Sequence, residues 1–150
     1  MKWIVSSDHA GFSAKKSILE HLKSKALEVV EAGAVSADIP LDFPDAVDEA
    51  VAQFSENDMM ILICGTGIGV SMRANRYDFL RAAVVYDDFI AKAAKEHNNA
   101  NALCFGARTQ QISDICRYID IFKAATYEGG RHIKRLEKLN APKLNAPKVK

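Results

Sequence analysis

Short apolar runs alternate with longer amphipathic stretches along this chain. In all of these runs except Leu27–Val30, which contains Glu28, apolar residues occupy consecutive positions. Such a pattern is typical of a strand that is buried on both faces. The runs that predict strands are Trp3–Val5, Leu27–Val30, Met59–Ile63, Ala82–Val85 and Ala102–Phe105. Because amphipathic stretches separate them, the pattern predicts an α/β fold with a five-stranded parallel sheet and helices on both of its faces.

The stretches between the runs carry apolar residues at the three- and four-residue spacing of helices. In the first stretch, Ile18, Leu19 and Leu22 share one face. A loop over 32–44 contains two prolines and precedes the second helix. The predicted helices cover 12–25, about 45–55, a segment from the glycine loop to about 76, 87–96, 112–125 and a last segment after 129–130.

Composition narrows the class of protein. The chain has 150 residues, with 20 Lys and Arg against 19 Asp and Glu, and 49% of its residues are hydrophobic. One domain of this size buries a substantial core, and the balanced charge argues against a nucleic-acid binder, which needs a broad basic face. Without an apolar run of about 18 residues or a signal-peptide pattern, neither a membrane span nor secretion is expected.

The three cysteines point to an intracellular protein. Their odd number and irregular spacing do not make a disulfide framework, and no Cys-x-x-Cys pair predicts a zinc site. A reducing cytoplasm is the compartment that we expect.

The end of the chain differs from the rest. Leu-Asn-Ala-Pro-Lys occurs at 139–143 and again at 144–148. A short repeat with two prolines cannot build a core, so 1–139 is the predicted domain and 140–150 a disordered tail.

Chemically reactive residues follow the predicted strands. In parallel sheets, ligands bind beyond the carboxyl ends of the strands. Asp8 and His9 follow the first strand, 64–69 follows the third, and Arg108 follows the fifth. The segment 97–101 precedes the fifth strand, so it lies at the opposite edge and reaches such a site only by loop geometry or by serving a neighbouring subunit.

Glycines 65, 67 and 69 follow the third strand in a G-x-G-x-G pattern. Such a loop can turn its amides outward into a cradle for an anion or an oxyanion. The pattern lacks the Gly-Lys-Ser/Thr of a Walker A loop, and its spacing differs from the dinucleotide-binding fingerprint. The alternative is a tight turn that needs glycine for steric reasons only.

The position of Cys64 favours the interpretation of the glycine loop as an anion cradle over that of a purely steric turn. Cys64 sits where the strand meets the loop, and amide dipoles at a helix N-terminus stabilise a thiolate, which can act as a base or a nucleophile. The alternative is a buried structural cysteine, which is the better interpretation for Cys104 and Cys116.

Two further groups have both a structural and a functional interpretation. Asp8 and His9 lie in a loop at a strand end, although a lone histidine is more often structural. Arg131 and Arg135, four residues apart, would share a helix face beside His132, and two guanidinium groups suit a phosphate dianion. A solvated basic face is the simpler explanation for this second group.

Five segments in sequence order resemble the B-type ribose-5-phosphate isomerases, a family that includes the allose-6-phosphate and galactose-6-phosphate isomerase subunits. The resemblance implies a three-layer α/β/α Rossmann-like fold with strand order 2-1-3-5-4. It also implies a homodimer or homotetramer with active sites shared between chains, and neither a metal nor an organic cofactor. The matching segments are 7–11, 63–69, 97–101, 105–108 and 127–132.

The resemblance also implies roles for individual residues. Cys64 would move a proton between C2 and C1 of the open-chain sugar, and the loop, with Thr66, would hold the enediolate oxygen. His97 of a partner chain would open the furanose ring, with Asp8 acting on the ring oxygen or hydroxyl. The remaining residues would bind the sugar hydroxyls, the enediolate or the phosphate: Asn98, Gly65, Gly67, Ile68, Gly69, His9, Arg108, Arg131 and Arg135.

The expected reaction is the interconversion of ribose 5-phosphate and ribulose 5-phosphate in the non-oxidative pentose phosphate pathway. An isomerase of a six-carbon sugar phosphate is the alternative, because Phe43 stands where the family often has tyrosine. A non-catalytic sugar-phosphate sensor is a third hypothesis, which Cys64, Thr66 and His97 argue against, because a sensor needs no base.

Overall fold

The computed structural model describes residues 1–141 and forms a sheet covered by helices on both faces. Within that range it has five strands and six helices. In chain order these are β1 (Trp3–Ser7), α1 (Phe12–Ser24), β2 (Val29–Gly33), α2 (Phe43–Val51), β3 (Met59–Cys64), α3 (Ile68–Ala74), β4 (Ala82–Val84), α4 (Asp88–Glu96), β5 (Ala102–Gly106), α5 (Ile112–Ala124) and α6 (Ile133–Asn140).

The strands pair in the order β2-β1-β3-β5-β4, and every pair is parallel. This confirms the predicted fold class and strand order. β3 lies at the centre, and all six of its residues are buried. The register pairs Ser7 with Ile63 and Cys64 with Gly106, so three strand ends meet at one edge of the sheet.

Alternate residues of each strand face two separate apolar layers. Trp3 and Val5 pack in the layer beneath α1, α4 and α5, whereas Ile4 packs in the layer beneath α2 and α3. Cys64 belongs to the second layer, which places it directly below the helix that follows it.

Two elements begin two residues away from their predicted starts. β2 begins at Val29 instead of Leu27, because the Leu27 N–H donates to the Leu22 carbonyl and Ala26 adopts a φ of +57° to end α1. α2 begins at Phe43, two residues early, since Pro44 fits the first turn of a helix, where no N–H is needed. Neither shift changes the order of the elements.

α6 ends at Asn140, and the remainder of the predicted tail, 142–150, lies outside the described residues. No helix within 1–141 is both long enough and apolar enough to span a membrane.

A buried lysine holds the end of β2. The side chain of Lys15 is 1% exposed, and its Nζ donates to the carbonyls of Ala32, at 2.9 Å, and Ala34. The same Nζ lies 3.1 Å from a carboxylate oxygen of Glu31. A buried ammonium is tolerated when each of its protons has an acceptor, so Lys15 joins α1 to β2.

Substituting Lys15→Met is expected to lower the free energy of unfolding by about 2–3 kcal/mol, because it removes the donor of two backbone carbonyls. Lys16→Met is the matched control: Lys16 contacts the same carboxylate at 3.2 Å from an exposed position, and its loss should cost less than about 1 kcal/mol. Urea denaturation of both variants measures the difference, and equal losses would contradict the assigned role of Lys15.

Candidate active site

Asp8 and Cys64 are neighbours at the carboxyl edge of the sheet. The Asp8 N–H donates to the carbonyl of Ile63 at 3.2 Å, which brings the residue after β1 beside the end of β3. The Asp8 carboxylate accepts from the N–H of Gly11 at 2.9 Å and is 8% exposed. A 3-10 turn over His9–Gly11 thus fixes the carboxylate beside the loop that follows Cys64.

The backbone N–H of Gly67 donates to the Cys64 sulfur at 3.2 Å. Gly67 has a φ of +80°, and a side chain there would come within 3.0–3.2 Å of the Phe105 backbone. Only glycine fits both conditions, so the turn depends on it. The turn therefore directs a backbone hydrogen-bond donor at the Cys64 sulfur.

The other two cysteines differ in burial: Cys104 is fully buried, whereas Cys116 is partly buried near Asp120 and Lys25. Burial raises the pKa of the Cys104 thiol inside β5, and burial also raises the pKa of Cys116 on α5. Both therefore stay protonated at neutral pH, which suits the structural role predicted for them.

Arg108 lies across the glycine loop. Its N–H donates to the Gly65 carbonyl at 3.0 Å, and its guanidinium group passes above Gly65. The Thr66 hydroxyl oxygen accepts from the Ile68 N–H at 3.3 Å, which closes the turn into α3. The loops after β3 and β5 are therefore joined, with a cation and a hydroxyl on the exposed side.

Aromatic and imidazole rings flank this loop on the side of α2. The Phe43 ring lies against Gly69, where a side chain would come within 3.0 Å of it. The His9 Nδ1 lies 3.2 Å from the carbonyl oxygen of Leu41. Both rings therefore lie near the carboxyl ends of β1 and β3. The residues at this edge of the sheet are Asp8, His9, Phe43, the glycine loop and Arg108.

His97 lies at the opposite edge. It follows α4, which runs back from the carboxyl edge to the start of β5, as the sequence predicts. Its ring stacks on that of His132, with centroids 4.6 Å apart and an angle of 12° between planes. The five residues of β5, which span about 16 Å, lie between this pair and the Cys64 group.

Glu128 and two arginines surround the stacked histidines. The Glu128 N–H donates to the Glu96 carbonyl at 3.0 Å, and its carboxylate lies 3.5 Å from Nε2 of His132 and 4.0 Å from Nε2 of His97. Burial lowers the pKa of His132, and His97, Arg131 and Arg135 lower it further, while Glu128 acts in the opposite direction. The charges of both guanidinium groups therefore disfavour protonation of the same imidazole.

The four-residue spacing predicted that the two arginines share one regular helix, and this prediction was wrong. Arg131 lies in a 3-10 turn over Gly130–His132, whereas Arg135 lies in α6, which begins at Ile133. Gly129 and Gly130 both have positive φ, and this backbone reversal produces the tighter first turn.

Comparison with known proteins identifies the class of this arrangement. The family model for ribose/galactose isomerases matches residues 4–139. The chain belongs to the ribose/galactose isomerase family.

Individual relatives cover nearly the whole chain. A probable ribose-5-phosphate isomerase B of Mycoplasma genitalium is 42% identical over 138 residues, which are 90% of this chain and 91% of that protein. The solved structure of a ribose 5-phosphate isomerase from Thermotoga maritima is 36% identical, has a TM-score of 0.88 and covers 93% of this chain and 97% of its own. The M. genitalium ribose-5-phosphate isomerase B with bound ribulose-5-phosphate is 40% identical, has a TM-score of 0.85 and covers 93% of both chains.

As a member of this family, the chain carries its predicted site residues in two separate groups. Asp8, His9, Cys64 and Arg108 lie with the glycine loop at the carboxyl edge. His97, Asn98, Arg131 and Arg135 belong to the other edge. A cavity of about 730 Å³ opens at that second edge, between Phe54, Arg81, Lys95 and Asn101, and does not include Cys64.

His132 and Glu128 join the predicted residues at this edge, although the sequence assigned neither of them a role. The sequence showed His132 beside Arg131, but only the fold brings it onto His97, 35 positions earlier in the chain. Glu128 is placed by its backbone bond to Glu96. The segment 127–132 carried the signal, because it is one of the stretches that resemble the family.

Two imidazoles and a carboxylate are donors that zinc accepts, and those of His97, Glu128 and His132 lie within 4.8 Å of one another. The imidazole rings of His97 and His132 are nearly parallel, however, and the nitrogen lone pairs of each ring lie in the plane of that ring. The two rings would therefore have to tilt before a nitrogen of each could point at one ion. Arg131 and Arg135 would also repel a cation. The two arginines therefore disfavour a cation here, and the expectation of a metal-free site stays a prediction.

The imidazole of His132 should titrate below the usual histidine pKa of about 6.5. Burial and its cationic neighbours hold it neutral in the fold, so as pH falls through that value the unfolded chain gains a proton that the native chain does not, and stability decreases. NMR titration of the histidine ring signals measures the midpoint. Glu128→Gln should lower the midpoint further and Arg135→Met should raise it; a midpoint above 6.5 would contradict this environment.

Proposed function

We propose that this protein interconverts ribose 5-phosphate and ribulose 5-phosphate through an enediolate intermediate. The observation that carries the proposal is the Cys64 sulfur at the end of the central strand, with the Gly67 N–H donating to it at 3.2 Å. The chain is an isomerase by family, and the M. genitalium relative with bound ribulose-5-phosphate favours a five-carbon substrate.

Cys64 can serve as the base for both proton transfers. Its thiolate removes the proton from C2 of the open-chain aldose, and the electrons of that C–H bond form the C1–C2 double bond, leaving negative charge on the C1 oxygen. The thiol then returns the proton to C1, while the hydroxyl proton on O2 passes to O1, which yields the ketose. A single base suffices because the proton moves between adjacent carbons on one face of the sugar.

The loop after β3 can stabilise the charge that develops on oxygen. Gly69 and Val70 lie in the first turn of α3, where N–H groups have no partner inside the helix. Donors fixed in place before the reaction stabilise an oxyanion strongly, because they need no reorientation as charge develops. Thr66, exposed at the tip of the loop, is placed to add its hydroxyl.

The proposed site is completed by a second chain, in a homodimer or a pair of dimers. Cys64 and His97 lie at opposite edges of one sheet, so one chain cannot bring both to one sugar. Exposed apolar side chains on α3 and around the start of α4 suit burial in such an interface: Ile68, Met72, Tyr86 and Phe89 are each more than half exposed.

In this arrangement, side chains from both chains would open the sugar ring and bind the phosphate. Asp8 would face His97 of the partner across the sugar, Asn98 would bind sugar hydroxyls, and His9 and Arg108 would meet Arg131 and Arg135 around the phosphate. Arginine suits this role, since its planar guanidinium group binds phosphate oxygens in pairs. A phosphate held far from the reacting carbons orients the sugar.

The alternative of a six-carbon substrate depends on Phe43. Its ring faces Gly69 of the loop but offers no hydroxyl to the sugar. Rates on ribose 5-phosphate, allose 6-phosphate and galactose 6-phosphate separate the two hypotheses.

All three cysteines are free thiols, which suits the reducing cytoplasm expected from the sequence, and that location stays a prediction.

Cys64→Ala is expected to lower kcat for ribose 5-phosphate by at least about 100-fold, since it removes the only proposed base. Binding of the substrate, measured by calorimetry, should change little because the phosphate groups are intact. Cys116→Ala is the matched control and should keep its rate. If Cys64→Ala retains a tenth or more of the rate, Cys64 is not the base.

Mixed dimers test whether sites are shared. Cys64→Ala and His97→Ala chains with different affinity tags are co-expressed, and the hybrid is isolated by successive tag purifications. One of its two sites would contain an intact Cys64 and an intact His97, so about half of the wild-type rate should return. An inactive hybrid, with both parent chains folded, would show that each site is built within one chain.

A further inference from the structure

We infer that Arg81 and Asn101 form a clamp that positions His97 and Asn98 for the reaction. This inference rests on the proposed function, which gives the 97–101 loop its role toward a partner chain. The clamp consists of the side chains of Arg81 and Asn101 with the backbone of residues 79–81 and 99–101. It makes these two residues positioning residues, because they act through the loop and not on the sugar.

Asn101 links the loop to the segment that leads into β4. Its Oδ1 accepts from the Arg81 N–H at 2.7 Å, and its Nδ2 donates to the Phe79 carbonyl at 2.8 Å. Its own backbone N–H donates to the Arg81 carbonyl at 3.2 Å. An asparagine that uses both ends of its amide on backbone groups fixes the spacing of the two segments.

Arg81 holds the loop at its turning point. Its Nε donates to the Asn99 carbonyl at 2.8 Å, and the Lys95 Nζ donates to Oδ1 of the same Asn99 at 3.0 Å. Asn99 has a φ of +43°, in the left-handed region that asparagine tolerates but other residues avoid. Two cationic donors on one residue therefore support the reversal that carries the chain from α4 into β5.

The clamp and the reactive groups use different residues of the loop. Asn101 spends its amide on backbone groups of Phe79 and Arg81, whereas Asn98 is exposed. His97 sits one residue beyond α4 and is one-third exposed, with its N–H donating to the Ala93 carbonyl. Burial lowers the pKa of the Arg81 guanidinium, in keeping with a group held beneath the loop. Misplacing such a loop by about 1 Å is enough to reduce a rate 100-fold.

The test begins with Arg81→Met, which keeps the aliphatic stem, and Asn101→Asp, which keeps the acceptor but loses the donor to Phe79. Each should lower kcat/KM for ribose 5-phosphate by roughly 10- to 100-fold. Arg76→Met is the matched control: Arg76 is an exposed arginine in the preceding segment, and its rate should be unchanged. An unchanged rate in both clamp variants would overturn the inference.

Hybrid dimers distinguish positioning from general structural damage. A hybrid of Arg81→Met with Cys64→Ala has one site with an intact Cys64 facing an intact loop, so about half of the wild-type rate should return. A hybrid of Arg81→Met with His97→Ala has a damaged loop in both chains, so its rate should not exceed the low rate of Arg81→Met alone. A merely destabilised Arg81→Met chain would not produce this difference.

The Cys64→Ala and His97→Ala hybrid is the reference for interpretation. If that hybrid is inactive, the shared site of the proposed function is wrong. If the reference hybrid is active but the hybrid of Arg81→Met with Cys64→Ala is inactive, the clamp inference is wrong. The inference is also wrong if the hybrid of Arg81→Met with His97→Ala regains about half of the wild-type rate. Asn101→Asp replaces Arg81→Met in every pairing if the latter does not fold.

Discussion

The loop after β3 lies directly against the end of β5, and the carboxyl-edge half of the site depends on this close approach. A side chain at Gly67 would come within 3.0–3.2 Å of the Phe105 backbone, and one at Gly106 within 2.8 Å of the backbone of Thr66. Because neither glycine can be enlarged, the two loops stay in register. That register turns the Gly67 N–H toward the Cys64 sulfur and brings Arg108 above Gly65.

β5 connects the two halves of the site: its end contacts the loop after β3, and its start adjoins the clamp. β5 runs from Ala102, next to Asn101, to Gly106, next to Thr66, and all five of its residues are buried. A buried parallel strand paired on both sides is among the least mobile parts of a fold. Both groups of residues are therefore fixed relative to one rigid element, although they lie at its opposite ends.

The sequence predicted the parts of the fold that depend on local pattern. β3 is apolar at every position and proved to be the central strand, and Cys64 was expected at its carboxyl end. The shift of β2 could not be predicted, because the left-handed Ala26 and the Leu27–Leu22 hydrogen bond depend on how α1 ends. Arg131 and Arg135 were assigned to one helix because spacing alone does not distinguish a 3-10 turn from an α-helix.

The stacking of His97 on His132 was beyond sequence reasoning for a different reason. The two residues come from separate elements, and their approach requires α4 to end where the segment after α5 returns to the same edge. The bond between Glu128 and Glu96 fixes this meeting point. Neither hydrophobic periodicity nor motif spacing contains that information, since it depends on the packing of α4 against α5.

The charges around His132 connect this packing to the proposed chemistry. In the free chain, His97, Arg131 and Arg135 all disfavour the imidazolium form of His132, and burial acts in the same direction. In the proposed site a phosphate dianion lies between the two arginines, where it would offset their repulsion. Binding the dianion and protonating His132 are then thermodynamically linked, so each favours the other to the same extent. A neutral imidazole in the free chain thus becomes a potential additional donor when phosphate is bound, which a lysine or a third arginine at that position could not provide.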